Sequence, residues 1–539
     1  MTGSKITRRA ALTSGGGLAA ALALAGRPAP ARAAPGNIVR HAVAADRINS
    51  LDPSVIIQNA DANSTRQIFD AVIDPPYGTF DLDPRGMIGE AAEAWEISPD
   101  ARSYTVKLRE GMLFHKGYGE VTAEDAKFTF DRLGDPRGNS SYRIFYANVE
   151  EVKQLDRYRF RITLKAPDPT FYATSMIARG AGIVCKKAVQ ELGEEFRRRP
   201  IGSGPFEFEA IDNGRRVILK RFEQYHRAKA KLDGLEYVYM GDPSARTLGF
   251  LKGDLDLIEG VRLPGWNNDL RRQMPTARFD LTRPGSTNVI FFNMTRRPFD
   301  DIRVRKAMRY AIDRNVFRQA FGEMYGDVWG INPVEVPGSL RREDVPAELR
   351  YDYDPNRAKA LLAEAGYPNG FAFDNPMSQR EDYVAIMLMI QQMLRRVGVN
   401  MRIQNIDHTA YHNNCARDMI PFPLNSETIA PVGTLLLARK FAGDQAVSPE
   451  GIGGRLNFSH YGQTMPGIDD LLARINEEAD PERRIALTRE AELRVLRDMP
   501  AWNALQLSFV SVRNPRVDLG YEIRASYANF SMWQATTSA

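Results

Sequence analysis

Strand-like and helix-like runs alternate along the whole chain after residue 36. Residues 159–165, 217–221 and 287–292 read as strands, whereas 123–133, 303–314, 357–365 and 383–397 place apolar side chains at helical spacing. That alternation marks an α/β protein. The chain has 539 residues, more than one core can hold, since single cores stop growing near about 250–300 residues. Two lobes are therefore expected. A hydrophobic fraction of 43% beside 26% charged residues is that of a soluble globular protein, and it excludes intrinsic disorder.

Several helix ends are legible. Thr122 precedes Ala123-Glu124-Asp125, an N-cap followed by acids that suit the helix dipole. Asp354-Pro355 opens another helix and Gly366 closes it. The Met387, Met389 and Met393 face reads as core.

Residues 1–33 form an address. Arg8-Arg9 after Thr7, a weakly apolar Ala/Gly/Leu stretch and Ala31-Arg32-Ala33 together read as a twin-arginine signal cleaved near Ala33. With no Cys at that site and no other apolar stretch of about 18 residues, the mature chain is expected to be free in the periplasm. The same segment explains the formal charge of +5, which otherwise invites a nucleic-acid reading. It holds Lys5, Arg8, Arg9, Arg27 and Arg32 and no acid, and without it basic and acidic residues balance at 67 each. No nucleic-acid partner is implied. Cys185 and Cys415 are expected as free thiols, because a bond between separate lobes would restrain them.

Four segments resemble one family. The first runs from Ala92-Glu93-Ala94-Trp95 through Ser98-Pro99-Asp100 to Phe114-His115 and Thr122. The others are Pro200-Ile201-Gly202-Ser203-Gly204-Pro205-Phe206, then Pro298-Phe299-Asp300-Asp301 through Tyr310-Ala311-Ile312-Asp313, then Tyr353-Asp354-Pro355 through Gly366-Tyr367-Pro368. In order and spacing they resemble the solute-binding proteins of ABC transporters, family 5, which includes dipeptide, oligopeptide and nickel receptors. Physically most of these positions read as scaffold: turns, caps and, in Gly202-Ser203-Gly204-Pro205, a flexible crossover between lobes. His115 reads as scaffold too.

The resemblance implies a two-lobed periplasmic-binding-protein clamshell of the cluster C type. Lobe I would comprise 34–78, 200–283 and 503–539, with a subdomain at 79–199 inserted, and lobe II would comprise 284–502. A solute would bind between the lobes, and closure would present the complex to a membrane permease driven by separate ATPase subunits. The receptor is expected to be a monomer without a cofactor.

It also implies site residues. Relatives that bind peptides neutralise the ligand amine with a carboxylate after a strand, matched here by Arg417-Asp418-Met419-Ile420. Glu427 falls at the carboxylate's place in the loop beyond, with Leu424 replacing a Trp, and Asp418 joins it as a ligand contact. Arg380, before the helix at 383–397, is the partner for a ligand carboxylate, its fork suited to bidentate pairing. Asn59 and Asp61 would form the opposing wall. Separately, His408, His412 and Cys415 fall at i, i+4 and i+7, a spacing that could ligate a transition metal if the segment is helical.

Enzyme motifs are missing: no Gly-Lys pair for a Walker A loop, no G-x-S-x-G, no H-E-x-x-H and no G-x-G-x-x-G. The readings held open beside a peptide receptor are a receptor for a sugar, opine-like conjugate or nickel chelate, and an exported hydrolase or metalloenzyme.

Overall fold

The computed structural model describes residues 37–538 except 57, 80–82, 84, 178–179, 429–431, 452–454, 479 and 527–529. The signal segment and its cleavage site lie outside the described residues. Strand β1 (Ile38–Val43) is followed by helix α1 (Asn59–Ile68). Next comes an antiparallel sheet built from β2 (Ala92–Ile97), β3 (Ser103–Leu108), β4 (Val149–Gln154) and β5 (Arg159–Leu164), in the order β2-β3-β5-β4. Helix α2 (Ala123–Gly134) packs on it. It starts where the sequence places it, because Asp125 accepts hydrogen bonds from both the Thr122 backbone and its hydroxyl.

The chain then adds β6 (Phe206–Asp212), β7 (Arg216–Arg221), β8 (Gly234–Tyr239), β9 (Leu257–Glu259) and the long β10 (Arg278–Phe291). Helix α3 (Pro355–Glu364) follows, capped by Asp354 as expected. A parallel pair, β11 (Phe371–Ser378) and β12 (Val399–Ile406), flanks α4 (Glu381–Arg395). After them come α5 (His408–Ala416), β13 (Leu424–Thr428), α6 (Gly433–Phe441), α7 (Pro481–Asp498) and the long β14 (Ala501–Arg513).

One large sheet runs through both halves, in the order β13-β10-β14-β9-β1-β8-β7-β6 along its main path. β10 and β14 are its spine. At one end β14 pairs with β9, and at the other β10 pairs with β13. The sequence pattern shows only the second half of β10, because Pro284-Gly285 interrupts it, and such residues inside a run argue against a strand. The structure turns the interruption into a register shift between Thr282 and Ser286, with Gly285 at φ +66° and a Cβ there 2.3 Å from Leu507 O.

Two hydrophobic cores form, and the buried side chains of the spine, such as Val289, Leu507 and Val512, belong to the second. One gathers Val39, Phe69, Val106, Phe160, Leu219 and Leu519. The other gathers Phe292, Met308, Ile386, Met393, Leu437 and Trp502, and Phe250, Leu255 and Leu270 pack with it. Cys185 belongs to the first and Cys415 to the second, each a buried free thiol.

The Gly202–Pro205 crossover is tight rather than flexible. A Cβ on Gly202 would lie 2.1 Å from Ile68 O, and one on Gly204 2.6 Å from Gln67 O. These glycines let the crossover pack on the end of α1. His115, fully buried, fixes them: its amide donates to Gly202 O and its Nε2 meets Gly204 O at 2.9 Å. Among the described residues no helix is long and apolar enough to cross a membrane.

Candidate functional site

Between the two cores lies a cavity of about 900 Å³. Gln58, Asn59, Tyr142 and Phe145 line it from the first half, and Arg380, His408, His412, Glu427 and Arg439 from the second. Glu259, Arg262, Ser286 and Phe509 line it near the spine. Three arginines and two carboxylates thus line a space that also offers aromatic faces.

Arg380 is the N-cap of α4 and Asp382 lies in its first turn. The Arg380 Nε and Nη2 each reach Asp382 at 2.7 Å. Arg262, just beyond β9, donates from Nη2 to the same carboxylate at 2.8 Å and from Nη1 to Ser286 at 2.8 Å. Burial alone would raise the Asp382 carboxyl, but the Arg262 and Arg380 charges outweigh it and hold it well below the usual carboxylate range. Asp382 therefore stays ionised and fixes two guanidinium planes. The Arg380 side chain is still 39% exposed and opens on the cavity.

Glu427 stands on strand β13, not in a loop. The 417–420 run is no strand either: α5 ends at Ala416 and the chain turns with Asp418 at φ +59°. The reason is burial. Leu424 and Phe422 are drawn into the second core, and Tyr411 exchanges hydrogen bonds with the Leu424 backbone, which commits 424–428 to pairing with β10. The Glu427 carboxylate meets Arg439 Nη1 and Lys440 Nζ, each at 2.5 Å. Lys440 is fully buried, so Glu427 is its counter-ion. The single negative charge of Glu427 thus already answers two positive ones. Arg439 lines the cavity and lies over the Phe145 ring at 5.9 Å, with its buried Nε unpaired among the described groups.

The remaining expected residues divide. Asn59 lines the cavity at the start of α1. Asp61 lies behind the wall, fully buried, where it accepts from the Asn49 and Ser50 amides, Gln58 and the Tyr239 hydroxyl. Burial raises its pKa in spite of those donors. Asp418 is not among the cavity-lining residues; it accepts from Asn293 at 2.7 Å and His460 at 3.0 Å. In the metal triad His408 and His412 do share a face, but Cys415 turns into the second core with its thiol pushed up to about 12 by burial. Among the described residues no group of three or more metal-ligating side chains is assembled. The segment contributes His408, Thr409, His412 and Asn413 to the cavity wall.

Arg262, Asp382, Arg439 and Lys440 escaped the sequence reading. Asp382 lies two residues past Arg380, and Arg439-Lys440 is a basic doublet at a helix end, yet neither spacing reveals the partner across the chain.

A charged and aromatic cavity lined from both halves of a two-core α/β fold is a place where a small molecule can be held. Comparison with known proteins makes the class specific. The profile of the bacterial extracellular solute-binding proteins, family 5, matches residues 86–436. The chain belongs to that family. Heme-binding protein A of Haemophilus influenzae is 30% identical over 356 residues, 60% of this chain and 61% of that protein. Glutathione-binding protein GsiB of Escherichia coli K12 is 29% identical over 353 residues, 64% of this chain and 66% of its own length. The chain thus spans a little under two thirds of these relatives. Among solved structures, MoaA of A. tumefaciens R10 in complex with mannopinic acid superposes with a TM-score of 0.82 at 28% identity, covering 94% of this chain and all of that one. DppA of Helicobacter pylori in complex with the peptide STSA shares the fold, with a TM-score of 0.77 at 23% identity over 93% of this chain and 98% of that one.

Proposed function

We propose that this chain is the periplasmic substrate receptor of an ABC importer, and that it captures a small peptide-like solute bearing a carboxylate. It delivers the closed complex to a membrane permease served by separate ATPase subunits. It reaches the periplasm folded, by the twin-arginine route, and works as a monomer without turnover. Its lobes divide at 34–78, 200–283 and 503–539 against 284–502, with 79–199 as the inserted part.

The observation that carries the ligand class is the charge arrangement of the cavity. Arg262, Arg380 and Arg439 line it, and the carboxylates in or beside it are engaged: Asp382 and Glu427 with arginines, Glu427 also with buried Lys440, and Glu259 with the Ala44 amide. Such a site favours an acid over an amine. The likeness to a mannopinic acid complex and to a glutathione-binding protein supports an acidic solute.

The test is thermal unfolding against glutathione, dipeptides and mannopinic acid, with each ligand assayed afterwards for chemical change. A true ligand at a hundredfold excess over its Kd stabilises by about 2.7 kcal/mol and is recovered intact. Turnover of the added compound would instead favour an enzyme.

A further inference from the structure

Helix α5 presents His408 and His412 to the cavity, and Arg380 stands beside them at the head of α4. The two imidazoles meet edge to face with ring centres 4.6 Å apart. Tyr383 packs against both, at 5.4 and 6.1 Å. The Ser378 hydroxyl meets His408 Nδ1 at 2.8 Å and holds that ring in place, which leaves Nε2 on the opposite edge. Three groups able to carry positive charge thus share one wall of the cavity.

We propose that Arg380, His408 and His412 form a single anion subsite, in which an acid group of the solute and the protons that charge the imidazoles bind together. The subsite deepens the receptor reading above and rests on it for its biological use.

The surrounding charges bear this out as an anion site. From α4 the imidazoles face Arg380, Asp382 and Tyr383, and from α5 they face Asp407 and Tyr411. Asp382 is committed to two arginines, and Asp407 caps α5 through the Thr409 and Ala410 amides. Burial raises the Tyr383, Tyr411 and Cys415 groups, which keeps them neutral. Of the other charged lining groups, Glu427 is held by Arg439 and Lys440, Arg262 is paired to Asp382, and Glu259 accepts from the Ala44 amide. Burial, and then the charge of Arg380, lower both imidazoles, His408 to about 4. An acid group seated on Arg380 cancels that repulsion and attracts the missing protons. By linkage the anion tightens the protons and the protons tighten the anion by one common factor.

Inorganic sulfate, whose charge is constant over the relevant range, is the probe. With only six His in the chain, imidazole carbon-labelled protein gives a resolvable spectrum, assigned by single substitutions. His115, fully buried in the first core, reports that each variant is folded. Sulfate is expected to shift the His408 and His412 signals saturably and to raise both titration midpoints. Its own Kd is expected to fall about tenfold from about pH 7.5 to about pH 5. Arg380→Gln should remove the saturable shift, and the His408→Gln, His412→Gln double variant should bind sulfate with a pH-independent Kd. Midpoints unmoved by sulfate, or moved equally in Arg380→Gln, would overturn the subsite. A sulfate response without any ligand in the solute panel would leave the subsite standing and count against the peptide-like solute instead.

Discussion

Arg262 and Asp382 meet at 2.8 Å, and through that contact the end of strand β9 is joined to the head of the helix that carries Arg380. Asp382 is therefore shared by two arginines that come from distant parts of the chain, 120 residues apart for the Arg262 pair.

Asp382→Asn removes the common counter-ion. Its side chain is only 6% exposed, so the loss leaves two cations facing each other and costs about 3 kcal/mol in urea unfolding. The sign of the pH dependence follows from the depressed pKa. The stabilisation is complete above the unfolded-state value near about 3.9 and is lost as pH falls toward the lower folded value. Wild type should weaken through that acid window more than Asp382→Asn does. Parallel acid profiles would remove the ion pair from the account.

Glu427→Gln strands a buried ammonium. Lys440 has no exposed surface, and its pKa is lowered by burial against the opposing pull of Glu427. The substitution should cost about 3 kcal/mol, and Lys440→Met in the same background should recover part of it. Simple additivity in that double-mutant cycle would mean that the two side chains do not act as a pair.

Glu492 on α7 gives a second pH signal with the opposite sign. It is fully buried and accepts from the Ile331 and Asn332 amides at 2.6 and 2.9 Å. Burial raises its carboxyl to about 7, against those two donors. The folded state thus holds a proton that the unfolded chain releases near about pH 4.3, so stability is fully present below that point and falls as pH rises through about 7. Unfolding free energy should drop by a few kcal/mol between about pH 5 and about pH 8, and Glu492→Gln should flatten that decline. An unchanged slope in the variant would place the dependence elsewhere.

Gly202→Ala tests the crossover. Its new Cβ would lie 2.1 Å from Ile68 O, a backbone atom that cannot move without displacing α1. A loss above about 3 kcal/mol is expected, visible as a lowered Tm. A variant as stable as wild type would show that the crossover is loose.

These contrasts show what local pattern can and cannot carry. Caps such as Thr122 and Asp354 are legible because donor and acceptor lie within three residues of each other. The first half of β10 is hidden, since Pro284-Gly285 breaks a pattern that only pairing with β14 sustains. At the site, Arg380 and Asn59 could be placed through resemblance, and both line the cavity. Asp61 and Asp418 carry the same chemistry in the sequence, yet each is consumed by backbone or side-chain donors that only the fold supplies. Glu427 looked like a lone acid because Arg439 and Lys440 reach it from the next helix.

The most direct test of the central claim is native mass spectrometry of the naturally exported protein, wild type beside an Arg380→Gln, Arg439→Gln double variant. The wild type should carry one small acidic molecule per chain, released on denaturation and exchangeable for added solute, and the folded variant should carry none. An adduct retained equally by the variant, or a basic molecule in the wild-type cleft, would contradict the account.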